Sequence, residues 1–486
     1  MSPLMGFDEF RAKDGRVVWN RGVTRKCTRR TKGRCALFLG FLRTYGEKAS
    51  NPGVMYIYSS ESSLSERLFW IFTLMLMVVF IVALLRKPWH RFRNNPTVIS
   101  IDKNFRSWRT FLPAITFCPL NAFNDTKARQ VIKTVWNVSE SEAKFNYYLN
   151  FTRQVVNLNL NRKSLSNFDI YANDSSLMKI NMLDLAMQVA KAFSARFNVH
   201  QEGYNSSKFN LSILEVGLCQ TFGGILSEYF SFSKSESATN FDPPQCYYTS
   251  ASCYGLMELQ NLFDGGKVYI HSPFEVATLE SRYVFISAHR SVGLEFTSQE
   301  MLSADSVRFL SVAQRGCKFM EDVTYSSIPV YSYNICKMHC RKQLAIKFCN
   351  CSPYLYFHVD PVQVCDAHGL RCIQKHLKSI LKFEDTNGSK IDCGCIPNCN
   401  EVLVTSFTDE NTVWTNEMEL NFSRYAWNIQ KFSRERYIRN VLYNVEDFVV
   451  SVGSFVGLFL GGSLLSLVEL FYFFTLRLFW NLRGRS

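Results

Sequence analysis

Catalytic signatures are what this chain lacks. Its eight histidines are scattered, and none has the spacing of a metalloprotease HExxH helix. There is no P-loop, no dinucleotide-binding fingerprint and no nucleophile elbow. Nothing therefore supports a zinc protease, a nucleotide-binding enzyme or an α/β-hydrolase. Internal repeats are missing, and no low-complexity linker is long enough to split the central stretch into separate domains. That stretch, residues 86–447, is also poor in net charge, with 39 basic against 34 acidic residues over 362 positions. The overall charge of +14 sits mainly at the two ends. Residues 1–67 hold 13 Lys/Arg against 6 Asp/Glu, and Arg477, Arg483 and Arg485 add three more. A basic excess confined to the termini argues against a nucleic-acid-binding face. It matches the cytoplasmic bias found beside membrane spans.

Two long apolar runs are present. Leu68 to Leu85 is 18 uncharged residues, enough to cross a hydrocarbon layer of ~30 Å at a rise of ~1.5 Å per residue. It reads as a span and not a cleaved leader, because no small-residue cleavage site follows it. Arg86, Lys87 and Pro88 close the run. The second run, Phe448 to Leu476, has 29 residues. A single straight helix of that length would be about 43 Å long, so it must tilt, protrude or break. Glu446 and Asp447 flank its outer end, and Arg477 its inner end.

The second run carries residues that a plain anchor does not need. Gly453, Gly457 and Gly461 recur every four residues on one face as overlapping GxxxG patterns. They suit either close helix packing or a narrow pore lined by bare backbone. Gly461-Gly462-Ser463 favours a break near the middle of the span. Carbonyls freed by a break are tolerated only where they face protein or water. Three copies about an axis would present a ring of oxygens able to replace part of an ion's hydration shell. Glu469 lies six residues past Ser463. An ionisable group inside a span marks function by default. It suits an inner vestibule that attracts cations, or a site solvated at the cytosolic interface.

Fourteen of the 16 cysteines fall within 86–447, an even number. Asn-x-Ser/Thr sequons fall there too: Asn124, Asn137, Asn150, Asn173, Asn205, Asn210, Asn387 and Asn421, with Asn350 disfavoured by the Cys351-Ser352-Pro353 that follows. Both features point to an oxidising, extracellular compartment. The expected topology is a cytoplasmic segment 1–67, a span 68–85, a cysteine-rich extracellular domain 86–447, a span 448–476 and a short cytoplasmic end 477–486. Cys27 and Cys35 are expected as reduced thiols, beside a basic run from Arg25 to Lys32 that suits either anionic lipid or a solvated tail carrying a topology signal. Inside the ectodomain, Met182 to Phe197 has helical apolar spacing, and Lys267 to His271 and Arg282 to Ser287 read as short strands.

The later cysteines have an informative order. Cys336 and Cys340 lie in an expected helix, Ser332 to Phe348, with both thiols on one side. Cys349, Cys351, Cys365, Cys372, Cys393, Cys395 and Cys399 follow, in spacings that nearly mirror the first set. Two antiparallel helices would bring the last cysteines back beside the first. That suggests nested pairs, Cys317–Cys399, Cys336–Cys395, Cys340–Cys393, Cys349–Cys372 and Cys351–Cys365. Zinc binding is the competing reading of C-x-C and C-x3-C, but an extracellular set of even number is normally oxidised. No bound metal is expected.

Several stretches together resemble the degenerin/epithelial sodium channel family, and more narrowly an insect pickpocket-type subunit. Thr110-Phe111-Leu112-Pro113-Ala114-Ile115-Thr116-Phe117-Cys118 is similar to the family's F-P-A-V-T-x-C. Gly217-Leu218-Cys219-Gln220-Thr221-Phe222 is similar to its G-x-C-Y-T-F. The cysteine ladder from Gln314-Arg315-Gly316-Cys317 to Cys399 resembles its stapled thumb, and the second apolar run its G-L-F-x-G-x-S-x-L-S-x-x-E. The resemblance implies an α+β membrane protein: two transmembrane helices flanking a large disulfide-rich extracellular domain with a β core and a helical thumb. It implies a trimeric, sodium-selective, amiloride-sensitive channel of the plasma membrane, homomeric or built with related subunits, in contact with lipid and not with nucleic acid. No cofactor is implied, and Na⁺ is the permeant ion. It assigns Gly461, Gly462 and Ser463 to the selectivity filter, and Ser451 and Gly53 to gating. It pairs Cys118 with Cys219, leaving Cys246 with Cys253. One departure is Pro52, where the family usually has His before the glycine; altered open probability, or dependence on partner subunits, is expected from it. The alternatives are a two-span ATP-gated receptor, and a non-conducting cell-surface receptor or accessory subunit.

Overall fold

The computed structural model describes residues 43–480 except 48, 50–51, 60, 179, 192–194, 200–209, 231–244, 248–253, 261–263, 288–289, 324–327, 357–362, 414–421, 430–432 and 478. The chain forms two compact units, residues 94–442 and a second made of the segments before and after them. Cys27, Cys35, the basic run Arg25–Lys32, Phe193, Asn205, Cys253 and Asn421 lie outside the described residues.

The unit 94–442 is built on two larger sheets and a helical layer. One sheet has seven strands, in the order Thr97–Asp102, Arg436–Val441, Arg290–Ser303, Phe422–Ile429, Tyr254–Gln260 and Ala195–Val199, with Glu401–Val413 also paired to Arg290–Ser303. Its pairings are antiparallel except where Arg290–Ser303 runs parallel to Phe422–Ile429 and to Arg436–Val441. Along Arg290–Ser303 every second residue is buried from Val292 to Glu300, the period of a strand with one face on a core. Val292, Leu294 and Phe296 pack there with Tyr425, Trp427 and Ile429.

The second sheet has five strands, in the order Tyr283–Ile286, Gly266–His271, Ala114–Pro119, Gly217–Phe222 and Asn210–Leu214. Its central strand, Ala114–Pro119, is buried over five successive residues, as expected of a strand covered on both faces. Cys118 on that strand is bonded to Cys219 on its neighbour.

Helices Asp125–Trp136 and Ala143–Val156 pack with Met182–Val189 into the largest core. Asn124 and Asn181 cap the first and third, each side chain accepting from a backbone N–H in the first turn. The third helix is shorter than its apolar spacing suggests. Met182, Leu185, Ala186 and Val189 are buried as a stripe, but the helix ends at Val189. Ala190 leaves the helix opposite Phe123, where Asn124 N donates to Val189 O and Lys191 N donates to Ala122 O, and the chain then forms the strand Ala195–Val199. Sheet pairing has overridden the local helical pattern.

The cysteine ladder folds around helix Tyr333–Cys349, capped by the Ser332 hydroxyl, which accepts from Ile335 N at 3.2 Å. Asn350 ends it in the left-handed region. A second helix, Ala367–Lys382, packs beside it. The structure bonds Cys317–Cys399, Cys336–Cys395, Cys340–Cys393, Cys349–Cys372 and Cys351–Cys365. The returning arm differs from the two-helix expectation. Only Cys372 is on the second helix; Cys393, Cys395 and Cys399 follow on a non-helical stretch. An extended segment covers more length per residue than a helix, so Cys393 and Cys395, two apart, reach helix positions four apart. Cys246 is disulfide-bonded.

In the other unit, helix Leu64–Asn94 is long and apolar enough to cross a membrane. It continues nine residues beyond the apolar run, through Pro88. The charges end the apolar run without ending the helix, because one proline removes one helical hydrogen bond and leaves the others in place. The second apolar run is two helices, Val445–Leu460 and Leu464–Tyr472, the latter continued by a π-helical turn, Phe473–Arg477. They are bent by 85° at the break and pass the same length and composition test only as a pair, either a broken span or a re-entrant loop.

A broken apolar helix as the candidate functional site

Both sides of the break are built by capping chemistry. Val445–Leu460 starts at Asn444, whose side chain accepts from Asp447 N at 2.8 Å while the Asp447 carboxylate accepts from Asn444 N at 3.0 Å. The helix ends at Gly461, which has φ 64° and donates its N–H to Gly457 O at 3.1 Å. That is the left-handed stop for which glycine is suited. Two residues later Ser463 caps the next helix. Its hydroxyl accepts from Ser466 N at 3.2 Å, and its own N–H donates to Ser466 Oγ at 3.2 Å. The break is thus a helix stop and a helix start separated by Gly462. A helix stop deprives its last carbonyls of in-helix donors, and here they fall in an apolar sequence. Gly461 and Ser463 are exposed in the single chain, and Gly462 is half-buried.

Among the described residues, Gly453 and Gly457 do not pack against another helix of the chain. A Cβ on Gly453 would meet nothing within 4 Å, and one on Gly457 would lie 3.5 Å from Gly462 O. Contact between the long helix and the second apolar helix is made by rings instead. Phe92 stacks on Phe448 at 5.3 Å, Trp89 lies 5.4 Å from Phe448, and Phe80 lies 6.4 Å from Phe459.

Ser451 is held at both ends of its hydroxyl. It donates to Asp447 O at 2.7 Å and so accepts from Tyr443 Oη at 2.6 Å. Gly53 is buried in helix Pro52–Tyr58, and a Cβ there would touch the Leu74 side chain at 3.1 Å. Pro52 takes the first position of that helix, where its missing N–H would have had no in-helix partner. Glu469 is half-buried on Leu464–Tyr472. Tyr45, from the segment before Pro52, lies against Phe473 and Phe474 at 5.2 and 5.4 Å. Sequence reading missed Ser466 and Tyr443. Ser466, three residues past Ser463, was open to a capping-box reading; nothing in the sequence points to Tyr443.

Buried polar clusters among the described residues of the unit 94–442 include one around Glu215 and one around Glu275. In one, Arg341 donates to both oxygens of Glu215, at 3.0 and 2.8 Å, and Tyr356 donates to Glu215 at 2.7 Å. Glu280 pairs with both Arg341 and Lys337. In the other, Glu275 accepts from Tyr333 N and Asn334 N at 3.2 Å each, at the start of the stapled helix, and from the Asn398 amide. Burial pushes the Glu275 carboxyl up to about 7 despite those donors. Nearby, His271 is pushed down to about 4 by burial; its ring bonds Thr116 Oγ1 at 2.8 Å and Ser272 O at 2.9 Å.

Among the candidate glycosylation residues, Asn137, Asn150, Asn173 and Asn387 are exposed. Asn124 is half-buried, with its side-chain oxygen capping a helix, and Asn210 begins a strand.

An apolar helix broken by a glycine stop and a serine start, joined to a disulfide-stapled α/β unit, defines the architecture of a membrane channel subunit. The family model described as amiloride-sensitive sodium channel matches residues 45–473, and the chain belongs to that family, as a pickpocket-type member of the degenerin/epithelial sodium channels. It is 23% identical to Sodium channel protein Nach of Drosophila melanogaster, over 90% of this chain and 88% of that one. It is 23% identical to Sodium channel protein Nach of Drosophila ananassae, over 88% of this chain and 85% of that one. To Pickpocket protein 28 of Drosophila melanogaster it is 18% identical, over 89% and 78%.

Proposed function

We propose that this subunit forms a trimeric, sodium-selective and amiloride-sensitive channel in the plasma membrane, with both termini cytoplasmic. The observation that carries the reading is the break at Gly461-Gly462-Ser463, where a helix stop and a helix start meet in an otherwise apolar sequence. Such backbone is stable at membrane depth only where it faces protein or water, and one chain with two spans encloses no pore. Several copies around an axis give those carbonyls water and ions to face. In this reading Gly461, Gly462 and Ser463 are the filter, Ser451 and Gly53 belong to the gate, and Glu469 attracts cations to the inner mouth.

Expression in oocytes, alone and with related subunits, tests the proposal through an amiloride-sensitive inward Na⁺ current. Replacing Ser463 with Asp or Cys is expected to shift the reversal potential in mixed Na⁺ and K⁺, or to abolish current at normal surface abundance. Full current with an unchanged reversal potential would remove Ser463 from the filter.

A further inference from the structure

Helix Leu64–Asn94 has a feature beyond its apolar run that none of the proposed channel parts uses. Its last turns hold Arg86, Lys87, His90, Arg91 and Arg93, all exposed. Arg86, His90 and Arg93 follow at spacings of four and three, and Lys87 and Arg91 at a spacing of four. The five therefore form neighbouring rows on one side of the helix. Trp89 and Phe92 take the other side and lie against Phe448 at 5.4 and 5.3 Å. The basic side is thus turned outward by an aromatic contact at its back. Among the described residues, the Arg86, Lys87, Arg91 and Arg93 side chains make no ion pair and no hydrogen bond. The helix packed behind them, Val445–Leu460, carries two acidic groups, Glu446 and Asp447, and the Asp447 carboxylate already accepts from Asn444 N at 3.0 Å. Four permanent cations outnumber them.

We infer that this face binds the phosphate headgroups of anionic membrane phospholipids. Its position selects the occupant. Leu85 ends the apolar run, and Arg86 and Lys87 follow directly. At a rise of ~1.5 Å per residue, Arg93 stands about 12 Å past the run. The polar headgroup layer adds roughly 5–8 Å on each side of the hydrocarbon. Arg86 and Lys87 therefore fall inside that layer. Arg91 and Arg93 fall at its rim, from which long side chains reach back to it. Each guanidinium can offer two parallel N–H donors to one phosphate, and Lys87 adds a point charge. A charge that only signals topology needs no such one-sided arrangement. Bound lipid would fix the depth of this end of the helix, while Trp89 and Phe92 keep it on the second apolar helix.

The inference rests on the membrane span and not on conduction, because lipid binding is measured without current. Purified full-length protein in detergent, stripped of lipid, is titrated with dioleoyl phosphatidylglycerol, with dioleoylglycerol and with water-soluble glycerol phosphate, and bound molecules are counted by native mass spectrometry. Phosphatidylglycerol is expected to bind at least about tenfold more tightly than either control, since one lacks the phosphate and the other the chains. Combining Arg86→Gln, Lys87→Gln, Arg91→Gln and Arg93→Gln should weaken it at least about tenfold, with thermal unfolding matching the parent. Lys at the three arginine positions should keep most of the affinity. Gln at Arg25, Lys26, Arg29 and Arg30 should leave this site in place. Binding that survives the four exchanges, that dioleoylglycerol or glycerol phosphate matches, or that is lost only with the Arg25–Arg30 exchanges would overturn the assignment. So would fewer assembled complexes from the four-glutamine variant at unchanged lipid affinity, which would give the face to another copy of the chain.

Discussion

The two units differ in how much of themselves they bury. Residues 94–442 enclose three hydrophobic clusters, the largest running from Cys118 to Ile380, and carry six of the described disulfides. In the other unit Ala49, Ile81 and Phe473 are the buried hydrophobic residues among those described, while Leu68, Phe72, Val82, Leu464 and Leu465 are each more than half exposed. A soluble unit with that much apolar surface would aggregate. The first unit is specified by its own side chains. The second is specified by its caps and breaks, and its exposed residues suit lipid and other copies of a subunit. Substitutions in the first should therefore show in stability, and substitutions in the second in current and assembly.

The largest effect expected from this contrast is at Arg341, which is 1% exposed. Arg341→Met leaves the fully buried Glu215 carboxylate without its cation. Removing one partner of a buried pair costs about 3–5 kcal/mol, whereas replacing both with apolar residues is often neutral. Thermal unfolding should show the single variant strongly destabilised, and Glu215→Leu/Arg341→Met recovering most of the loss. A single variant as stable as the parent would break the contrast from the side of the stapled unit.

Next comes a pH effect in the same unit. The folded pKa of Glu275 is raised from 4.5 to about 7, so the folded state holds a proton that the unfolded chain gives up. Its contribution is present at low pH and is lost as pH rises from about 4.5 to about 7. His271 works the opposite way. Its pKa is lowered from 6.5 to about 4, so its contribution grows as pH rises from about 4 to about 6.5. The two offset each other between about 4.5 and 6.5. Glu275→Gln leaves the histidine alone, and stability should then rise by up to about 1.4 kcal/mol per pH unit across that range. Melting temperatures that track the parent's at every pH would show that Glu275 does not titrate as its burial implies.

What the sequence disclosed follows the same division. Cysteine order was readable because a disulfide needs two specific residues, and mirrored spacing leaves few compatible pairings. The break at Gly461 was readable because glycine and a capping serine act within a few residues of themselves. Long-range competition was not readable. The apolar spacing from Met182 to Phe197 carries no sign that strand Ala195–Val199 pairs with Tyr254–Gln260, and the cysteine pattern does not say that its last arm is extended. A cavity lined by Phe111, Phe274 and Lys318 gathers residues from distant parts of the chain, which no local pattern reveals.

A smaller energetic effect with a sharp functional readout is expected at Gly461. An alanine there would have to occupy φ 64°, which costs roughly 1–2 kcal/mol for a residue with a Cβ, or else let the helix continue through the break. Either outcome disturbs the carbonyls of the last turn. Gly461→Ala subunits should reach the surface in normal amounts yet carry little current or an altered ion preference. Normal currents with an unchanged reversal potential would mean that the break has no part in conduction.

The smallest effect on the isolated subunit is expected at Gly453, and it separates the two units most cleanly. An added methyl meets no atom within 4 Å in the single chain. In a helix interior alanine is favoured over glycine by about 0.5–1 kcal/mol, so Gly453→Ala should leave the protomer as stable as before, or slightly more so. If that face packs against another subunit, the same methyl holds the helices apart, because small residues are what allow close approach in a membrane. Cross-linking in intact membranes should then show fewer assembled complexes from Gly453→Ala, with disulfide formation in residues 94–442 unchanged. Assembly at the parent level would mean that this glycine face is turned toward lipid or water, and the contacts between copies would have to lie elsewhere.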